Sequence, residues 1–294
     1  MEAPWPDIER SIGEALATPV SIESRAPVGG GCINECFLVR SSRRAFFVKL
    51  NTPERAPMFA AEAAGLEEIG RTGTIRVPRP LCHGASAAAS WIVLEHFELG
   101  SADSKAMCVL GTNLARLHRV IAPRYGWTRD NTIGSTPQPN DWSEDWIAFW
   151  RERRLGHQLR IAVASGQGGH LLDDGERLME KLPAFFAGYV PEPSLLHGDL
   201  WSGNAAMTGS GEPVVFDPAT YYGDRETDLA MTELFGGFPR SFYDAYRAEH
   251  PLDPGYDARK TLYNLYHVLN HFNLFGGGYG AQAGRMIGQL LAQV

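Results

Sequence analysis

The feature that most constrains the fold of this 294-residue chain is a change of hydrophobic period part-way along it. Apolar residues alternate or run together in short stretches over roughly the first third, then recur at helical spacing over the remainder. Residues 6–17 predict a short helix, with Ile8, Ile12 and Leu16 on one face. Strand-like segments follow at 20–26, 36–40 and 45–50. The last two are joined by the polar turn Ser41-Ser42-Arg43-Arg44, a hairpin pattern. A helix is expected over 58–70, ended near Gly70 and Gly73, and a further strand over 91–97. Thereafter Met107, Leu110, Leu114 and Leu117 mark a helix, with others expected at 145–159, 171–186, 242–249, 258–275 and 281–294. Strand signal in this second part is confined to short pieces around 214–217. The expectation is an α+β protein of two lobes: residues 1–98 build a small antiparallel-sheet lobe, and residues 99–294 a larger, mostly helical one.

Composition narrows the functional classes. The formal charge of −7 disfavours nucleic acid as a partner, because neutralising phosphates needs a basic face. The densest basic cluster, residues 151–154, contains Glu152 and reads as a solvated helix face. No apolar stretch reaches the length of a membrane span, and the N-terminal residues lack the basic and apolar regions of a signal peptide, so a cytoplasmic protein is expected. Cys32, Cys36, Cys82 and Cys108 show neither paired spacing nor a nearby His pattern. Free thiols are expected, and no structural zinc.

Residues 197–204 read His-Gly-Asp-Leu-Trp-Ser-Gly-Asn, and Asp217 ends the apolar run Val214-Val215-Phe216. Transfer of a phosphoryl group to a hydroxyl needs a carboxylate to orient the hydroxyl and accept its proton, and oxygen ligands for the Mg²⁺ that bridges the phosphates. Asp199 suits the first task; Asn204 and Asp217 suit the second. The spacing resembles the protein-kinase catalytic loop and its following metal-binding Asp. Gly29-Gly30-Gly31 lies between two strand candidates, where backbone N–H groups can approach a phosphate. Lys49 stands in the otherwise apolar strand 46–50 and needs a partner or a ligand. In kinase folds such a Lys meets ATP phosphates and pairs with a helix Glu; Glu62 is the choice here over Glu67 and Glu68. Backbone groups at Glu95 and Phe97, where the lobes would meet, are candidates for an adenine edge. His197 reads as a scaffold of the loop, and His118 as a packed or capping residue. Asp228 reads as a brace of the loop, while Asp224 and Glu226 are open between a functional role and a solvated acidic turn.

Together the motifs resemble the fructosamine kinase (ketosamine-3-kinase) family, within the wider aminoglycoside and choline kinase-like group. The specific elements are the Leu-Trp-Ser-Gly-Asn extension of the His-Gly-Asp motif, Asp-Pro-Ala-Thr-Tyr-Tyr-Gly-Asp-Arg-Glu at 217–226, Asp-Asn-Thr-Ile-Gly-Ser-Thr-Pro-Gln-Pro-Asn at 130–140, and Phe-Trp-Arg-Glu-Arg-Arg-Leu at 149–155. Gly-Gly-Gly-Cys-Ile-Asn-Glu at 29–35 agrees as well. The resemblance implies a protein-kinase-like fold and an ATP- and Mg²⁺-dependent kinase acting on ketosamines, free or carried on glycated proteins. It implies Asp199 as base, Asn204 and Asp217 as Mg²⁺ ligands, and Lys49 with Gly29, Gly30, Gly31, Cys32, Ile33 and Asn34 around the phosphates. It also implies that Cys32 can link two copies in a redox-dependent homodimer, the alternative being a monomer. Asn131, Thr132, Trp201, Tyr222 and Asp224 are the candidates for the sugar site. Two other readings stay open at this level: a kinase of the aminoglycoside or choline type, and a non-catalytic ATP-binding pseudokinase.

Overall fold

The computed structural model describes residues 4–29, 33–100, 103–166 and 169–294. Two compact units emerge: residues 1–102 with 206–218, and residues 103–205 with 219–294. The first unit thus takes in a second, later stretch of chain.

In the first unit, α1 (Trp5–Leu16) precedes a five-stranded antiparallel sheet. Its strands are β1 (Ser24–Val28), β2 (Glu35–Arg40), β3 (Ala45–Asn51), β4 (Pro80–Ala85) and β5 (Ser90–Glu95), in the order β1-β2-β3-β5-β4. Strand β3 lies at the centre of the sheet, paired with β2 and β5. Period two divides its faces. Phe46, Val48 and Leu50 pack with Trp91 and Val93 of β5 against Ile8 and Ile12 of α1. Lys49, on the other face, meets α2 (Ala56–Arg71) through Glu62. Strand β1 is exposed throughout and carries Pro27, which an edge strand tolerates. Strand β4 was invisible to the sequence reading. Pro80 cannot donate to a ladder, and the pairing with β5 slips between Pro80 and Cys82, so the usual strand signals are absent. A second small sheet joins β6 (Leu99–Gly100) to Ala205–Thr208 and Pro213–Val215.

The second unit is helical: α3 (Ser104–Leu117), α4 (Trp146–Phe149), α5 (Gly156–Ala164), α6 (Gly169–Lys181), α7 (Glu226–Leu234), α8 (Arg240–Glu249), α9 (Tyr256–Phe275) and α10 (Gly278–Leu291). Asp103 caps α3 by accepting the Ala106 N–H at 2.7 Å. Gly111 lets α3 lie directly on α8, since a Cβ there would stand 2.2 Å from the Phe242 carbonyl oxygen. The segment expected as one helix over 145–159 runs from α4 to α5 through a π-helical turn, Trp150–Leu155. Two short antiparallel pairs complete the unit: Asn131–Ile133 with Thr136–Gln138, and Ser194–Leu196 with Tyr221–Gly223. Among the described residues no helix is long and apolar enough to cross a membrane.

Candidate active site

In the first unit, Lys49 is buried and its ammonium donates to Glu62 Oε1 at 2.6 Å and to Asp217 Oδ1. Burial alone would push the Lys49 ammonium down, but Asp217 and Glu62 more than offset this and hold it above the ordinary lysine range. Burial pushes the Glu62 carboxyl up, against the pull of Lys49. Asp217 is the exposed member of the trio and sits at φ +59°, a backbone region that non-glycine residues rarely occupy. Strain of this kind persists where surrounding structure enforces it, and it aims the carboxylate.

A Cβ at Gly29 would meet nothing within 4 Å. Gly30, Gly31 and Cys32 lie outside the described residues. Ile33 and Asn34 are clamped by Asn51, whose Nδ2 donates to the Ile33 carbonyl at 3.0 Å and to Asn34 Oδ1 at 2.7 Å. The Glu95 N–H is already taken by the Arg79 carbonyl at 2.9 Å, so it is not available to an adenine edge. Its carboxylate pairs with Arg76, which also lies over the Phe97 ring.

In the second unit, Ser194–Leu196 runs into the His-Gly-Asp turn. Gly198 has φ +83°, and a Cβ on it would fall 2.1 Å from the Ala219 carbonyl oxygen, so no other residue fits. Asp228, fully buried on α7, accepts the His197 N–H at 2.7 Å and the Gly198 N–H at 2.8 Å. His118 Nε2 lies 3.1 Å from the same carboxylate, and its Nδ1 lies 2.8 Å from the Tyr246 hydroxyl. An ionised carboxylate only accepts, so Nε2 carries the proton and Nδ1 accepts from Tyr246. Burial would raise the Asp228 carboxyl, but the His118 hydrogen bond and the neighbouring histidines and backbone N–H hold it below the usual carboxylate range. Burial likewise pushes His118 below the ordinary histidine value. Asp199 follows this braced turn and is only half-buried. Asn204 Nδ2 donates to its backbone carbonyl at 2.9 Å and to Oδ2 at 3.3 Å, which orients the carboxylate.

The sugar-site candidates divide. Trp201 is exposed beside Phe235. Thr132 and Tyr222 are half-buried, Tyr222 next to Trp142. Asn131 is buried, donating to the Thr220 carbonyl and accepting from Gln138 and Asn140. Asp224 is fully enclosed, and its oxygens are taken by the hydroxyls of Tyr263 and Tyr189 and the Glu226 N–H. It is an interior anchor rather than a surface carboxylate. Glu226 is no solvated turn either, because Arg259 grips it at 2.7 and 3.1 Å. The sequence reading missed the His118–Tyr246 support and the buried Arg154. Helical spacing shows which residues face inward but not which distant polar groups they meet.

A small antiparallel sheet carrying a Lys–Glu pair, with a helical unit carrying a His-Gly-Asp turn, defines a protein-kinase-like phosphotransferase. Solved structures of an aminoglycoside phosphotransferase, APH(4)-Ia, and of the choline kinase LicA from Streptococcus pneumoniae share this fold, with TM-scores of 0.62 and 0.65 at 13% and 15% identity. The chain belongs to the fructosamine kinase family, whose model matches residues 4–293. A Synechocystis protein described as a ketoamine kinase is 50% identical over 290 residues, which cover 98% of this chain and 97% of that one. The chloroplastic protein-ribulosamine 3-kinase of Arabidopsis thaliana is 44% identical, over 90% of this chain and 81% of its own. A solved structure from Haemophilus somnus, described as a fructosamine-3-kinase, superimposes with a TM-score of 0.90 at 31% identity, covering 98% and 97% of the two chains.

Proposed function

We propose that this protein transfers the γ-phosphoryl group of ATP to the sugar 3-hydroxyl of ketosamines, the adducts that sugars form with amines and protein lysines. Family membership supports the reaction class. The observation that carries the catalytic assignment is the Asp199 carboxylate, half-buried on a turn braced by Asp228 and oriented by the Asn204 amide. Asp199 would accept the proton as the 3-hydroxyl attacks. Lys49, held charged by Glu62, would bind the phosphates.

The residues also fit Mg²⁺. No cluster of three or more His, Cys, Asp or Glu ligands exists among the described residues, but Mg²⁺ needs only one or two protein oxygens besides phosphates. Asp217 supplies an exposed carboxylate. Asn204, with its nitrogen committed to Asp199, supplies an amide oxygen. When bound, the ion would neutralise charge on the transferring phosphates.

The product carries a phosphate on the carbon next to the ketone. Loss of a C1 proton gives an enaminol that expels this phosphate, and hydrolysis of the resulting imine frees the amine. Deglycation follows from the chemistry of the product. We place the protein in the cytoplasm, in keeping with free thiols at Cys36, Cys82 and Cys108. A Cys32-linked dimer is a further reading suggested by the family; a dimer on non-reducing gels that survives Cys32→Ala would remove it. The decisive assay is Mg²⁺-dependent ATP consumption with ribulosyl-, erythrulosyl- and fructosyl-lysine, against choline and an aminoglycoside. Ketosamine-dependent turnover is expected. Activity on the controls alone would overturn the assignment.

A further inference from the structure

Arg154 is fully buried on the π-helical turn, yet no carboxylate pairs with it among the described residues. Its Nη1 donates to the carbonyls of Pro139 and Arg153 at 2.7 and 3.1 Å, and its Nη2 to Asn140 Oδ1 at 2.8 Å. Its Nε has no partner. The guanidinium lies over the Tyr221 ring at 4.0 Å and the Phe149 ring at 4.6 Å. An uncompensated buried charge is costly, and a well-packed apolar residue would be cheaper. Such a group is retained where one planar cation must satisfy several oxygens and a ring face together.

The groups it joins lead to the catalytic turn. Asn140 Nδ2 donates to Asn131 Oδ1 at 3.0 Å, and Asn131 Nδ2 donates to the Thr220 carbonyl at 2.7 Å. Gln138 Nε2, its own carbonyl held by the Tyr266 hydroxyl, donates to the Ala219 carbonyl at 3.1 Å. The Ala219 N–H in turn donates to the His197 carbonyl at 2.9 Å. Asn131, Gln138 and Asn140 of the hairpin therefore face inward, while Thr132 and Tyr222 are half-buried.

We propose that Arg154 is a positioning residue of the acceptor site, holding the 130–140 hairpin in register with residues 219–222 so that the affinity for ketosamine, and not for ATP, depends on it. The proposal rests on the ketosamine reading above. Steady-state kinetics of Arg154→Met and Arg154→Lys, varying ribulosyl-lysine and ATP separately, test it. The KM for ribulosyl-lysine should rise at least about tenfold, while the KM for ATP and the ketosamine-independent ATP hydrolysis stay within about twofold. Lys keeps the charge but not the planar fork, so it should behave like Met. Equal rises in both KM values, a fall in kcat alone, or a normal Arg154→Lys enzyme would overturn the proposal. Tyr266→Phe removes a single hydroxyl and covers the case in which Arg154 variants fail to fold. It should show the same split on a smaller scale, and an unchanged ketosamine KM would count against the network. Absence of ketosamine-dependent turnover in the unmodified protein would instead sink the substrate reading itself.

Discussion

Replacing Asp228 tests the reasoning about the catalytic turn most directly. Its buried carboxylate receives the His197 and Gly198 N–H groups and His118 Nε2. Asp228→Ala strands two backbone donors and a ring donor in the interior. At about 1–3 kcal/mol for each of the three unsatisfied buried donors, the expected loss is about 3–9 kcal/mol. That is a large share of the roughly 5–15 kcal/mol that holds a typical domain. Asp228→Asn should cost about half as much, because its oxygen can still accept one N–H and His118 can switch tautomer to accept from the new amide. The folded-state pKa of Asp228 is depressed, so its contribution is present above the unfolded carboxylate value of about 3.9 and is lost as pH falls through the folded value. Urea unfolding at pH 7 and at steps below pH 4, followed by tryptophan fluorescence, gives both quantities. The gap between unmodified protein and Asp228→Ala should be constant above about pH 4 and close below it. A loss under about 1 kcal/mol at pH 7 would refute the bracing role.

Asp199→Asn should lower turnover by about 10²–10⁴-fold while ATP affinity by calorimetry holds, and near-normal turnover would exclude Asp199 as base. Asp217→Asn tolerates the left-handed backbone and should fold normally, yet need far more Mg²⁺ for activity; an unaltered Mg²⁺ titration would remove Asp217 from the metal site. Lys49→Met leaves Glu62 buried without its cation, so nucleotide binding should vanish and the melting temperature should fall. Intact nucleotide affinity would contradict the phosphate role. His267 is buried and pushed down to about 3, so stability is fully present above the unfolded histidine value of about 6.5 and declines as pH falls toward the folded value. His267→Gln should flatten that slope in thermal melts across pH 3–7, and an unchanged slope would assign it to other groups.

Much of the site was legible because the chemistry dictates residue types at short spacing. The Asp199–Asn204 interval and the lone Lys49 in an apolar strand are local signals, and Glu62 follows from helical phase. Asp224, left open between a functional role and a solvated acidic turn, and Asn131, a sugar-site candidate, are both buried, and no local signal in the sequence says so. A polar residue in a loop looks the same in sequence whether it faces a ligand or the hydroxyl of a distant Tyr263. Strand β4 was missed because pairing with β5, rather than its own propensity, makes it a strand.

The sequence by itself therefore pointed to the two-lobed α+β fold, the reaction class and the candidates for the reacting side chains. These depend on periodicity and on functional-group chemistry, both written locally in the chain. The tertiary structure alone decided what surrounds those side chains: Asp228 with His118 bonded at the turn, the left-handed backbone at Asp217, and the buried Arg154 bonded to the hairpin at Asn140. Their partners lie far apart in sequence, and a hydrogen bond across such a separation leaves no periodic mark on the chain.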